Sequence, residues 1–365
     1  MRCRRRQAFL YLLGGIPLFS IGGPLPIWPT PNDGFFKNQS KDTYLQPTAS
    51  GKIESAEFGF VRNNGQRFHE GIDIKPLHRN KRNEPTDKVC AVLPGTVAYI
   101  NRPPGKSSYG TYVALEHRDG GFRYYSLYAH LFSVSNTLSV GKRVTSGTLL
   151  GVMGHSGTLK IPRSRAHLHF EIGIPLGTET SFREWYRAQK YKSRNAHGPW
   201  NGFNLLGLDP LDFYRQRQPW PVYFRSLPIA FRAKVGFPGT PSFLKDNPGL
   251  MDTPIPSTLG GWEIGFHWTG CPLHWTPLTQ DAPPLGQWIL TQWDETELRR
   301  HGSHQTLHID LKGNVHIGKT LDKVIKLLFH PSRFQRVSND GPSPQVCKKR
   351  APTKDEPPRR TKLSL

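Results

Sequence analysis

The stretch S-R-A-H-L-H-F-E-I-G-I, residues 164–174, alternates polar and apolar side chains from His167 onwards. This period of two predicts a β-strand. His167 and His169 then share one face, roughly 6.6 Å apart, while Leu168 and Phe170 point to the opposite face, into a core. That separation is wide for two ligands of one ion. We therefore expect one histidine to bind a metal and its neighbour to face a reacting group.

A second fragment, R-F-H-E-G-I-D-I-K-P at 67–76, places Asp73 four positions after His69. A helix would bring both side chains to one face, but Gly71 and the isoleucines flanking Asp73 disfavour a helix. In an extended strand the two residues would lie roughly 13 Å apart. The chain must therefore bend between them, and Gly71 permits the bend. Glu70 is expected to turn away from the pair.

A third fragment, Y-S-L-Y-A-H-L at 125–131, is predicted to place His130 on another strand. Two histidines and one carboxylate from these fragments would form a three-ligand site for zinc (Zn²⁺) with the fourth position open to water. That arrangement is typical of catalytic sites, whereas structural sites have four protein ligands. The remaining two histidines are suited to proton transfer and to holding a developing oxyanion.

Residues 58–174 resemble the catalytic domain of the lysostaphin-type (LytM-like) zinc metalloendopeptidases, which are peptidoglycan hydrolases. The resemblance covers about a third of the chain and depends on several motifs in the family's order. These motifs are H-E-G-I-D-I (69–74), S-Y-G-T-Y-V-A-L-E-H (108–117), Y-A-H-L (128–131), V-G-K-R-V-T-S-G-T-L-L-G-V-M-G-H-S-G-T (140–158) and H-L-H-F-E-I (167–172).

The resemblance implies a role for each of the five candidate residues. It implies that His69, Asp73 and His169 bind zinc. It also implies that His130 and His167 are the catalytic pair, which polarises the oxyanion of the scissile carbonyl and assists the zinc-activated water.

Glu171 shares the histidine face of its strand and is expected to orient His169 from behind. Two features depart from the family pattern. The charged loop 77–88 is longer than usual, and Arg165-Ala166 stands where Gly-Pro is often found. Both would reshape the groove, but no ligand is missing.

The resemblance implies an exported zinc-dependent endopeptidase that hydrolyses peptide cross-links of bacterial peptidoglycan. The alternative is a non-catalytic member of the same fold that binds the envelope or activates a hydrolase. Degenerate members of that kind typically lose zinc ligands, so the full set favours the enzyme.

The composition agrees with a mainly β fold. The chain has 365 residues, of which only 36% are hydrophobic, and its 36 Gly and 33 Pro indicate many turns. We expect a compact antiparallel β-sheet catalytic domain and a second β-rich C-terminal region. The net charge of +22 predicts attraction to a polyanionic surface. With the export signal described next, it favours anionic cell-envelope polymers, and no nucleic acid is expected.

The N-terminus has a basic start followed by an apolar run from Ala8 to Ile21 that Gly14, Gly15 and Pro17 interrupt. This pattern is typical of an export signal and too short and broken for a stable membrane span. An uncleaved anchor and a twin-arginine signal remain alternatives. Export would place the protein in the periplasm, the cell envelope or the extracellular space.

Six segments are expected along the chain. They are 1–25, an export signal or N-terminal anchor; 26–57, an irregular leader; 58–176, the zinc endopeptidase catalytic domain; 177–216, a polar and aromatic connecting segment; 217–335, the β-rich C-terminal region; and 336–365, a basic Pro-rich disordered tail.

Several other residues have more than one interpretation. Cys271 and Cys347 would be able to form a disulfide in an oxidising compartment. His117 and His155 are expected to be structural. The tryptophans of the C-terminal region are expected to lie in a core, with stacking on sugars as the alternative.

Overall fold

The computed structural model describes residues 23–62, 67–300, 306–310, 313–329 and 335–336. The expected export signal falls almost wholly on residues 1–22, outside the described part, as does the tail from residue 337 onwards. No helix among the described residues is long and apolar enough to cross a membrane.

The described strands, in chain order, are β1 Val61–Arg62, β2 Arg67–Phe68, β3 Ile72–Ile74, β4 Lys88–Cys90, β5 Gly95–Asn101, β6 Tyr112–Asp119, β7 Phe122–Ala129, β8 Leu131–Val134, β9 Arg143–Val144, β10 Leu149–Met153, β11 Leu168–Pro175, β12 Leu205–Leu208, β13 Phe231–Val235, β14 Gly261–Phe266, β15 Pro272–Leu278, β16 Gln287–Trp293, β17 Leu307–Ile309, β18 Val315–Ile317 and β19 Gln335–Arg336. The α-helices are α1 Lys41–Tyr44, α2 Glu179–Ala188, α3 Pro210–Gln216, α4 Trp220–Ser226, α5 Ser242–Asp246, α6 Glu295–Arg300 and α7 Lys319–Phe329. Short 3₁₀ helices lie at Ile53–Ala56, Pro104–Lys106, Arg163–Arg165, Gly198–Trp200 and Pro248–Leu250.

The central sheet has seven antiparallel strands in the order β12-β11-β7-β6-β5-β9, with β3 also paired to β11. Strands β3 and β12 share one edge of β11: β3 pairs with residues 168–170 and β12 with residues 172–175. Strand β11 is buried throughout, and its opposite edge pairs with β7 over residues 169–173.

A second sheet is formed by the C-terminal region, in the order β15-β14-β13-β16-β19. Its strands are antiparallel except for β19, which runs parallel to β16. The prediction of a mainly β fold is thus confirmed. The amphipathic stretch at 320–329 forms α7, as its spacing predicts.

One hydrophobic core joins the two large sheets. It extends from residues of the central sheet, such as Phe170, through Trp220 and Phe224 of α4 to Trp262 and Trp275 of the second sheet. The other face of the central sheet carries a smaller cluster, which includes Tyr112, Tyr125 and Leu127 and lies beneath Trp200 and Leu205.

The leader at 26–57 is irregular apart from α1 and one 3₁₀ turn, yet it packs on the central region. The backbone N–H of Ile27 donates to Val92 O at 2.9 Å, and that of Gln46 donates to Asp73 O at 2.9 Å. The second bond fixes the backbone of a candidate ligand from the side opposite β11.

Candidate metal centre

Three polar side chains converge where β3 meets β11. Asp73 and His169 are direct partners in the antiparallel pairing of the two strands. Asp73 Oδ1 lies 2.9 Å from His169 Nδ1 and 3.0 Å from His69 Nε2, and the two ring nitrogens are 3.1 Å apart. All three residues are buried, with exposed fractions of 4–6%.

The bend that brings His69 back to Asp73 needs the glycine between them. A Cβ on Gly71 would lie 2.1 Å from the carbonyl oxygen of Phe170 on β11, which no side chain tolerates. Gly71 thus lets the chain approach β11 closely enough for β3 to pair with it.

The donor set fits a small divalent cation. Ligand atoms bound to zinc at its usual bond lengths lie roughly 3.3 Å apart, close to the separations of about 3 Å found here. One carboxylate oxygen and two imidazole nitrogens are ligands that zinc prefers. These atoms all lie within 4.8 Å of one another.

Hydrogen bonds on the far side of each ring fix which nitrogen faces the centre. His69 Nδ1 lies 2.8 Å from Glu57 O, and since a carbonyl only accepts, Nδ1 donates and Nε2 is left for a metal. His169 has the opposite orientation: Nε2 lies 2.9 Å from Glu171 Oε1, and Nδ1 faces the centre. Glu171 in turn accepts from Tyr125 Oη at 2.6 Å. Such partners behind a ligand fix its tautomer and orientation.

His130 and His167 lie beside this cluster. Their ring centroids are 4.8 Å apart, and His167 Nε2 is 3.6 Å from Asp73 Oδ1. His130 Nδ1 donates to Ser156 O at 2.6 Å and His167 Nδ1 to Arg165 O at 2.7 Å. In both rings Nε2 is therefore the nitrogen that can accept a proton.

His130 differs from expectation in its backbone. It lies between β7 and β8, which belong to different sheets, and is not on a strand. Its φ of +59° is in the left-handed region. That conformation turns the chain from one sheet to the other and points the imidazole at the cluster. His167 likewise precedes β11 by one residue and makes an isolated bridge to Gly154.

The charges in the cluster depend strongly on burial. Burial, with the nearby charges of His167 and His169, lowers the pKa of His130 to about 3. Burial also lowers the pKa of His167. Burial opposes charge on His169 as well, but hydrogen bonds to Asp73 and Glu171 outweigh it and raise the pKa of that ring to about 10. The carboxylates thus favour a positive charge at the centre.

The structure places further groups at the site that the sequence analysis missed. The ring of Tyr109 lies 5.7 Å from that of His169. Glu70, for which a contact at the surface or behind a ligand is expected, is partly buried, and burial and the charge of Glu171 raise the pKa of its carboxyl. The alternation of β7 could have revealed Tyr125, since it shares a face with Leu127 and pairs opposite β11.

The charged loop 77–88 is tied to the turn that precedes His167. The guanidinium of Arg79 donates to Arg163 O at 2.7 Å, and Glu84 forms an ion pair with Arg163 at 2.6 Å. Asp87 holds the base of the loop by accepting from two backbone N–H groups. The loop is therefore part of the wall beside the site. His155 and His117 make structural bonds, to Glu84 and to Ser126.

Residues 67–180 match the model of peptidase family M23. The resemblance to lysostaphin-type and LytM-like peptidases that the motifs indicate is thereby confirmed for this segment. No curated protein matches the chain.

Three solved structures illustrate the range of sequence identity and coverage among the similar proteins. Helicobacter pylori Csd3 is 20% identical (TM-score 0.28), covering 45% of this chain and 33% of that one. The catalytic domain of lysostaphin from Staphylococcus simulans is 16% identical (TM-score 0.29; 48% and 95% covered). The prophage-encoded M23 protein EnpA from Enterococcus faecalis is 20% identical (TM-score 0.26; 36% and 81% covered). The match thus spans about a third of the Csd3 chain.

Proposed function

We propose that the protein is a zinc-dependent endopeptidase that hydrolyses peptide cross-links of bacterial peptidoglycan. The observation that supports this most is the convergence of His69, Asp73 and His169 with two further neutral imidazoles beside them. Three of these groups are buried, and burying polar groups is costly unless they have partners, which a bound metal would supply. The proposal extends the peptidase character of the family to this member.

The proposed metal ligands are Nε2 of His69, Oδ1 of Asp73 and Nδ1 of His169. A bound zinc ion supplies Lewis-acid activation of water and of a substrate carbonyl. Glu171 and the carbonyl of Glu57 hold the two ligand rings in the tautomers that leave these nitrogens free. Tyr125 holds the Glu171 carboxylate in place.

His130 and His167 are proposed to move protons. Because each Nδ1–H donates to a carbonyl, each Nε2 is a bare acceptor that takes a proton from the attacking water. Once protonated, the same nitrogen is able to donate to the developing oxyanion or to the leaving amine.

The proposed setting is the cell envelope. The basic, apolar N-terminus supports export, and the net charge of +22 supports attraction to anionic envelope polymers. In this proposal residues 58–176 are the catalytic unit. The C-terminal region shares the hydrophobic core of this unit.

The test is digestion of purified peptidoglycan, followed by mass spectrometry of the released peptides. We expect cross-linked dimers to be converted to monomers with new free amino groups, and a chelator to abolish this. The matched control is His167→Ala, which should keep its zinc. Absence of any new peptide end from a protein with full zinc occupancy would refute the proposal.

A further inference from the structure

A basic cavity lies on the outer side of α2, formed by residues other than those of the metal cluster. Its volume is about 400 Å³, and it lies between α2 and the chain that returns along the helix at 190–198. Its lining includes four cations and three aromatic rings: Arg183, Arg187, Lys190, Arg194, Phe182, Tyr186 and Tyr191.

The walls of this cavity are held by contacts of their own. Lys190 adopts a left-handed φ of +52°, which reverses the chain after α2. The hydroxyl of Tyr186 then donates to Ser193 O at 3.1 Å. Tyr191 stacks on Phe203 with ring centroids 5.4 Å apart and planes 10° apart. The returning segment is thus fixed against the helix.

The charges of the cavity lack internal compensation. Arg183 and Arg187 are four residues apart on one helix face, where like charges repel each other. In the described part of the chain, neither of them, nor Lys190 or Arg194, forms an ion pair. Glu179 is the single carboxylate of the lining, so four cations and one anion give a net charge of +3 (4 − 1). Such an arrangement attracts an anion that would relieve the repulsion.

We propose that this cavity binds phosphate groups of a phosphodiester-linked polyol, an anionic polymer of the cell envelope. Guanidinium groups pair with phosphate oxygens in a two-pronged geometry, which explains three arginines better than a site for single carboxylates would. The tyrosine rings offer apolar faces and hydroxyls to the polyol between phosphates. A nucleic acid is disfavoured, because base stacking needs free aromatic faces and one face of Tyr191 already packs on Phe203.

The cavity is connected to the face of the central sheet that carries the metal cluster. Gly198, at its end, is followed by Trp200, whose carbonyl accepts from Tyr112 Oη at 3.1 Å on the metal-bearing face of the central sheet. A polymer held in the cavity would anchor the protein with that face beside the wall. This goes beyond the proposed peptidase function: it rests on the proposed setting in the cell envelope, but not on the metal centre.

The experiment measures binding of poly(glycerol phosphate) by calorimetry at low and at near-physiological salt. A variant with Arg183, Arg187, Lys190 and Arg194 all changed to Gln is compared with a charge-matched variant. The latter changes four exposed cations elsewhere to Gln: Lys52, Arg82, Arg143 and Lys160. Loss of several charge-assisted hydrogen bonds should weaken binding by the first variant more than about tenfold. The control should stay within about twofold of the wild type.

Equal losses of affinity in the two variants would overturn the proposal, because binding would then depend on the net charge of the protein and not on this cavity. Equally tight binding of polyglutamate or of single-stranded DNA would also overturn it. Circular dichroism checks the fold, and the single variant Arg187→Gln, expected to lose affinity severalfold, serves if the fourfold variant unfolds. Repeating the titration with Asp73→Ala protein separates this site from the metal centre, because its affinity for the polymer should be unchanged.

Discussion

The two large sheets bury opposite kinds of side chain. One face of the central sheet contains His69, Asp73 and His169 with Glu171 behind them, all at most 6% exposed. The second sheet contains Trp262, Trp275 and Trp288 at 0–1% exposed, and these pack on each other and on helices. These three tryptophans are therefore core residues, whereas Trp293 is partly buried against the core.

The buried tryptophans stabilise the folded chain, whereas the buried polar cluster is proposed to have a functional role. Apolar burial lowers the free energy of the folded chain directly, whereas buried polar groups need partners merely to break even. A sheet that buries four titratable groups around one point gives up stability there, which is typical of functional sites. The neighbouring sheet, joined to it through one core, compensates for that loss.

The largest expected effect is on the metal. Asp73→Ala and His169→Ala should each lose nearly all bound zinc, because two ligands cannot hold it. Metal analysis of the purified proteins measures this. His316→Ala, in the C-terminal hairpin, is the control and should retain full zinc. Full zinc occupancy in both ligand variants would place the metal elsewhere. The contrast between a metal-binding sheet and an apolar sheet would then fail.

A substitution in the core of the second sheet tests whether apolar burial there offsets the stability lost at the polar cluster. Trp262 is fully buried, and its Nε1 donates to Gly239 O at 2.8 Å. Trp262→Ala should lower the free energy of unfolding by about 3–5 kcal/mol. Because the core is continuous, denaturation should remain a single transition when followed by zinc release and by fluorescence. Separate transitions would show that the sheets fold independently.

Removing a proton-transfer group tests the active face. His167→Ala and His130→Ala should keep zinc but lose cleavage of a cross-linked peptide by about 100- to 1,000-fold. The isosteric Glu70→Gln should keep both zinc and most activity. Rates are compared at matched zinc occupancy. A dead Glu70→Gln beside an active His167→Ala would reverse the assigned roles.

A structural histidine of the central sheet sets an acid limit on stability. Burial lowers the pKa of His117 to about 4 from 6.5. As pH falls through 6.5 the unfolded chain takes up this proton first, so stability falls between pH 6.5 and about 4 and then levels off. The loss is about 3 kcal/mol at most. Chemical denaturation across this range should be less pH-dependent in His117→Gln; an identical profile would exclude this residue.

The smallest effect concerns the groups behind His169. Glu171→Gln and Tyr125→Phe should weaken zinc binding by about 10- to 100-fold without removing a ligand. Competition with a chromophoric chelator measures the affinity. Tyr124→Phe, on the neighbouring and opposite-facing position of β7, is the control. Unchanged affinity in the first two variants would make their hydrogen bonds irrelevant to the metal.

Local patterns predicted much of the site, and long-range pairing supplied the rest. The alternation around His169 and the bend at Gly71 are encoded within ten residues, so both could be identified directly. The bend at His130 depends on β7 and β8 joining different sheets, which no local pattern reveals. The carbonyl of Glu57 and the ring of Tyr109 reach the site only through tertiary packing. The domain boundaries remain predictions.

The left-handed backbone of His130 implies a trade-off under selection. Glycine adopts that conformation freely, whereas a residue with a Cβ spends about 1 kcal/mol there. His130→Gly would thus relax the local backbone while deleting the imidazole that is proposed to move protons. Screens for thermal tolerance alone would enrich such substitutions, and the selected variants would lose the proposed proton-transfer group. Thermal tolerance and the proposed proton transfer would therefore place opposite demands on this one position.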